Sequence, residues 1–327
     1  MTIACEECGR STNGAHRFCP WCGELLDDIR ELVSQAVYRP SMLYHYTSAE
    51  AAAKIVESGR LWATEISHLN DASEFLHGRQ VAREVVTARL VEWADLVEFK
   101  DTVDLLQRVA AGLASTAVPK IFVSAFSSLG DSRSQWGLYC KGLGGVALGF
   151  DHEKLRRLTP QGYPYPSAPP ERIRQTPLQV FPCVYRPRTQ QKLIWHQLDM
   201  IQFEEVPEID EARREGKLNS AAAGLVRSCT GLAAALKNPC FADEREWRLV
   251  GGKPADALVH SLIRSGSPVF YLELDLAAGS EAFPIVELVV GPQRDQDAAA
   301  SRWRIWLDQR GLQAVTVTKS LVPLRAV

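Results

Sequence analysis

The stretch 269–320 decides the architecture: VFYLELDL at 269–276, IVELVVG at 285–291, DAAASRWRIWLDQRG at 297–311 and LQAVTVTKS at 312–320. Three of these runs are short and rich in branched and aromatic residues, which predicts strands, and the third carries its apolar residues at helical spacing. The end of the chain is therefore expected to fold as β-β-α-β. Upstream, MLYHYT (42–47), LWATEI (61–66), KIFVSAFS (120–127), GVALGFD (145–151) and LQVFPCVYR (178–186) read as further strands. Helical periodicity fills the gaps at 49–58, 72–98, 104–114, 132–140, 190–203 and 220–237, with Thr47-Ser48 as N-cap and Gly59 as terminator of the first. The expected fold class is α+β, a mixed sheet with helical insertions. A doubly wound nucleotide fold is excluded because neither GxGxxG nor a P-loop is present.

The 327 residues are 46% hydrophobic with a formal net charge of -2. That composition buries a large core and marks the whole chain as neither a nucleic-acid nor a membrane binder. No apolar run approaches 18 residues and no secretory h-region follows Met1, so a cytoplasmic protein with no membrane partner is expected. Four of the eight cysteines form a double knuckle, Cys5-x2-Cys8 and Cys19-x2-Cys22. Two CxxC pairs supply four thiolates to one tetrahedral ion, and a redox pair needs only one, so structural Zn2+ in a zinc ribbon over 1–24 is the expectation. A linker helix over 25–40 and a domain over 41–327 complete the predicted organisation.

The segment CFADEREWRLVGG (240–252) reads as a strand carrying Glu244, Glu246 and Arg248 at alternate positions. In extended chain these three share one face, opposite Arg245, Trp247 and Leu249. A charged stripe beside a core suggests a ligand cleft, although an edge strand with an internal Glu-Arg ladder would show the same pattern.

LYHYTS with HLNDASEF, FVSAFS, SQWGLYCKGLGGVALGFD, EREWRLV and the final VVGP and SLVPLR together resemble the bacterial domain-of-unknown-function family twenty-nine seventy-one, over residues 42–325. That family is in turn distantly similar to ADP-ribosyltransferases. The resemblance implies an ADP-ribosyltransferase-like fold that uses NAD as substrate, modifies a macromolecular acceptor or hydrolyses NAD, and serves as a toxin or phage-defence effector, with an inhibitor protein as a further partner.

It also implies site roles. Glu246 would stabilise the oxocarbenium-like state formed when the nicotinamide–ribose bond breaks. Glu244 would orient or deprotonate the acceptor, and His45 would hold a ribose hydroxyl with Tyr46 beside it. Ser124, Ser127 or Tyr139 would fill the second-element role, the two serines being expected on one face. Trp136 or Tyr139 would stack on nicotinamide, and Arg248 would pair with pyrophosphate. Two other readings stay open: a non-enzymatic module that senses a nucleotide or binds RNA or protein, and a metal-independent nuclease with His45 and Glu246 as base and acid.

Overall fold

The computed structural model describes residues 2–4, 11–13, 40–69, 73–93, 100–115, 121–140, 144–156, 159–160, 178–199, 211–251, 259–264, 266–276 and 283–323. The chain divides into two compact units. One, taking in Ser73–Pro119 and Val184–Cys240, is helical, and the other, Arg39–Ala72, Lys120–Cys183 and Phe241–Val327, holds the large sheet. The α+β class with a mixed sheet and helical insertions is thus the observed one.

Near the start, β1 (Thr2–Ala4) and β2 (Ser11–Asn13) form a small antiparallel pair. The sheet unit comprises β3 (Met42–Ser48), β4 (Arg60–Glu65), β5 (Phe122–Ser127), β6 (Gly145–Asp151), β7 (Thr159–Pro160), β8 (Leu178–Pro182), β9 (Glu246–Gly251), β10 (His260–Arg264), β11 (Ser267–Asp275), β12 (Ile285–Val290) and β13 (Thr316–Lys319). The main path runs β10-β11-β4-β5-β3-β6-β12-β13, with β9 beside β5 and β8 beside β9. Only β12 and β13 pair in parallel among the described strands. A parallel pair needs a crossover, and the helix Gln296–Asp308 supplies it, as the β-β-α-β reading requires.

One face of this sheet is the core. Leu43, Phe122, Leu148, Phe150, Leu272 and Leu288 are fully buried there. The helix Ala49–Ser58 adds Ala52 and Val56, and Gln296–Asp308 adds Ala299 and Leu307. Ser48 caps the first of these helices by accepting the Ala51 N–H at 3.1 Å, and Gly59, at φ 63°, ends it in the left-handed conformation that glycine adopts without penalty.

In the helical unit, Ser73–Trp93, Lys100–Ala114, Pro187–Asp199 and Glu211–Ala233 pack around Val85, Leu105, Val109, Ile194 and Leu218. Gly78 lets two of these helices approach closely, since a Cβ there would stand 2.2 Å from the Ala233 carbonyl oxygen. The Arg89 guanidinium lies between the Trp93 and Trp195 rings, 4.4 and 3.6 Å from their centroids. Among the described residues no helix is long and apolar enough to cross a membrane.

Candidate functional site

β5 is the strand around which the site forms. Along one edge it pairs with β9 over its whole length, from Phe122↔Gly251 to Ser127↔Glu246. Its other edge is shared: β4 takes the start, at Phe122 and Val123, and β3 takes the end, at Ser127. Between these two ladders the sheet forks. Main-chain carbonyls at a fork lose their strand partners and need others, because an unpaired buried carbonyl is costly. Two side chains take over. Ser124 Oγ donates to the Trp62 carbonyl at 2.5 Å, and His45 Nδ1 bonds the Ala125 carbonyl at 2.9 Å.

A carbonyl only accepts, so His45 carries its proton on Nδ1. Burial pushes its pKa below the usual histidine value, against the upward pull of the Ala125 carbonyl. The ring is therefore neutral, with Nε2 left as an acceptor.

Strand register then assigns the faces. Cross-strand partners share a side, so Glu246, Ser127 and Tyr44 lie on one face, followed by Gly149 and Glu287 in the same row. Arg248 and Ala125 lie beside that row on the same polar face. His45 alternates with Tyr44 and so points to the other, core face. There its partner is Leu148, and its ring stands 5.7 Å from Phe126. Trp247 shares this core face, with His152 edge-on at 5.1 Å. The expected convergence of His45 with Glu246 is therefore corrected: the two belong to opposite faces. Ser124 and Ser127 also separate, being three positions apart rather than an even number.

Glu244 departs from the predicted stripe as well. The residues Pro239–Glu244 form a 3-10 turn, and Arg245 has φ 43°, a left-handed conformation rare for a non-glycine residue. The strand starts only at Glu246, so Glu244 precedes the extended segment. Its side chain is nonetheless buried, and its carbonyl accepts Ser127 Oγ at 2.8 Å. Ser127 also accepts the Leu129 N–H at 3.1 Å. Backbone strain of this kind costs about 1–3 kcal/mol and persists where surrounding structure fixes it, commonly at functional sites.

Glu246 and Arg248 do share a face and meet. Arg248 Nε lies 2.6 Å from Glu246 Oε1 and Nη2 lies 3.3 Å from Oε2, with both side chains 3% exposed. A dry, two-point ion pair of this kind adds little net stability over apolar side chains of the same size.

Tyr46 and Trp136 hold a loop in place. The Tyr46 hydroxyl donates to the Leu129 carbonyl at 2.6 Å and accepts the Ser132 N–H at 3.0 Å. Burial raises its pKa well above the usual tyrosine value. Trp136, on the helix Arg133–Tyr139, meets Tyr46 edge-on at 4.6 Å and donates Nε1–H to Asp131 at 2.7 Å. Asp131 also accepts Ser320 Oγ and the Leu321 N–H, tying the loop to the chain beyond β13. Trp136 is 5% exposed, so the predicted nicotinamide platform is a packed side chain. Tyr139 is half-buried and packs in the same cluster.

Sequence reasoning missed Tyr44 and Glu287. The Tyr44 hydroxyl donates to Glu287 Oε2 at 2.9 Å, and Thr318 Oγ1 donates to Oε1 at 2.8 Å. One charge inside the apolar run IVELVV was the available signal. Cys5, Cys8, Cys19 and Cys22 and the linker helix lie outside the described residues. Among the described residues no group of three or more His, Cys, Asp or Glu side chains is placed to hold a metal.

The family described as Protein of unknown function (DUF2971) matches residues 135–249. This segment is similar to that family. The matched residues include Trp136, Tyr139 and the Glu246–Arg248 pair, so the buried ion pair and most of the helix under the polar face fall within them. Comparison with curated proteins and with solved structures finds no match.

Proposed function

We propose that the chain binds NAD on the polar face at the fork and cleaves its nicotinamide–ribose bond, passing ADP-ribose to a macromolecular acceptor or to water. The observation that carries this reading is the buried Glu246 carboxylate, fixed by Arg248 within an α+β sheet. A carboxylate held dry and oriented stabilises a developing oxocarbenium charge far better than one in water. Arg248 fixes its geometry, and the strained Arg245 sets where the strand begins. Glu244, buried one turn earlier, remains the acceptor-side group of this proposal. His45 acts as a positioning residue that closes the fork. The nuclease reading loses its support, since a base and an acid on opposite faces do not share one phosphate.

A second reading is favoured by one specific observation. Arg248 already balances the charge of Glu246, which suits a module that binds a nucleotide without turning it over. Incubation with NAD separates the two: nicotinamide release supports transfer or hydrolysis, and saturable NAD binding with no release supports sensing.

The four N-terminal cysteines are proposed as ligands of one structural Zn2+. The donor set fits, because four thiolates close a tetrahedral shell without an open position for chemistry. One zinc per chain is expected by metal analysis, and removal of residues 1–24 is expected to leave the remainder folded. Metal-free protein purified without chelator contradicts the assignment.

A further inference from the structure

The polar face of the sheet carries an aromatic stack outside the Tyr46–Trp136 cluster. Trp62 on β4 stacks on Tyr271 of β11, with centroids 4.1 Å apart and planes at 26°. Tyr271 stacks in turn on His260 of β10, at 5.6 Å and 28°. Trp62 is 41% exposed. Cross-strand aromatic pairs stabilise a sheet edge, which accounts for the ring face that Trp62 turns toward Tyr271. It does not account for the opposite face. By strand order that face looks toward β5 at the fork, where the small side chain of Ala125 is only partly buried. A large ring backed by a second aromatic, 41% exposed and next to a small side chain, is suited to a planar ligand.

Charge narrows the class of ligand. Arg60 stands two positions from Trp62 on the same strand and therefore on the same face, about 6.6 Å along it. Its side chain is 40% exposed, and the guanidinium engages Glu273 through Nη1 at 2.5 Å. The remaining guanidinium nitrogens make no other hydrogen bond to the described residues, which leaves donors suited to a phosphate. A stacking ring and a guanidinium at this spacing match the base and the 5′-phosphate of a mononucleotide. We infer that Trp62, backed by Tyr271, is the platform for the purine of an adenine nucleotide, with Arg60 at its phosphate. The choice of adenine rests on the NAD reading above, because the AMP half of NAD is the part that such a platform would hold.

The test uses AMP and adenosine as probes on the full chain, by calorimetry, with nicotinamide release from NAD scored separately. Stacking on an aromatic side chain contributes enough that Trp62→Leu should weaken AMP binding about 10-fold or more. Trp62→Phe keeps a π-face and should stay within about 3-fold of the parent. Arg60→Leu should abolish the preference for AMP over adenosine. A direct readout accompanies the variants: the indole N–H resonance that disappears in Trp62→Phe should shift when AMP is added to the parent. No AMP binding by the parent overturns the inference, as does an unmoved Trp62 resonance at saturating AMP or unchanged affinity in folded Trp62→Leu. Binding lost in Trp62→Leu while the parent releases no nicotinamide would uphold the platform and refute the transfer reading.

Discussion

The two faces of the sheet at the fork are built from the same strands and differ in almost every chemical respect. On the core face, Ser124, Phe126 and Trp247 are buried and His45 is half-buried, and the Ser124 hydroxyl and the His45 ring nitrogen bond main-chain carbonyls where the ladders part. On the polar face, Glu246 and Arg248 form a buried ion pair, Ser127 lies beside Glu246 in the same row, and Trp62 is partly exposed. One residue of register separates these roles. A histidine next to a tyrosine in LYHYT is thereby a structural plug, and its neighbour Tyr44 is the residue that enters the polar row.

The largest effect is expected at Arg248. Arg248→Met would leave Glu246 buried without its counter-charge, and a loss of about 3–5 kcal/mol in chemical denaturation is expected. Replacing both partners, as Glu246→Leu with Arg248→Met, should restore most of it. A loss under about 1 kcal/mol for the single variant would mean that the pair is not the buried unit described.

On the core face the effects should be smaller and dependent on pH. His45→Gln removes the Ala125 bond unless the amide reaches the carbonyl, and about 1–3 kcal/mol is expected. Because the folded state depresses the His45 pKa, the unfolded chain takes up the proton first as pH falls. His45 is neutral in both states above about pH 6.5, so the parent is at its full advantage there. Below that point the advantage is lost by up to about 1.4 kcal/mol per pH unit until the folded pKa is reached. The stability difference between parent and His45→Gln should therefore shrink from about pH 7.5 to about pH 5.5. A constant difference over that window would argue against a ring held neutral in the folded state.

The smallest change sharpens the fork itself. Ser124→Ala should cost about 1 kcal/mol through the unpaired Trp62 carbonyl. Hydrogen exchange should quicken in β4 more than in β9, and equal quickening in both strands would deny the fork its local character.

Much of this was legible in the sequence. The closing β-β-α-β unit, the capped helix Ala49–Ser58 and the shared face of Glu246 and Arg248 follow from periodicity and turn chemistry, which are local. The misplacements were not local. Whether His45 meets Glu246 depends on the pairing of three strands distant in sequence, and no spacing reports that register. Glu244 was misread because a left-handed Arg245 broke the alternation at a residue that rarely adopts this conformation. Trp62 was within reach: in LWATE the core residues Leu61 and Ala63 alternate with it, which already turned a large aromatic away from the core. The strand His260–Arg264 went unread because its exposed residues carry no clear apolar period.

Nicotinamide release from NAD, measured side by side for the parent, Glu246→Gln and His45→Gln, tests the central claim that Glu246 and the polar face carry the chemistry. Release by the parent is expected, with a loss on the order of 100-fold in Glu246→Gln, because an amide keeps the shape and drops the charge. His45→Gln, once shown to be folded, should fall only a few-fold, since its side chain points to the other face. No release by the parent, or undiminished release by Glu246→Gln, would contradict the account, as would an equal collapse in both variants.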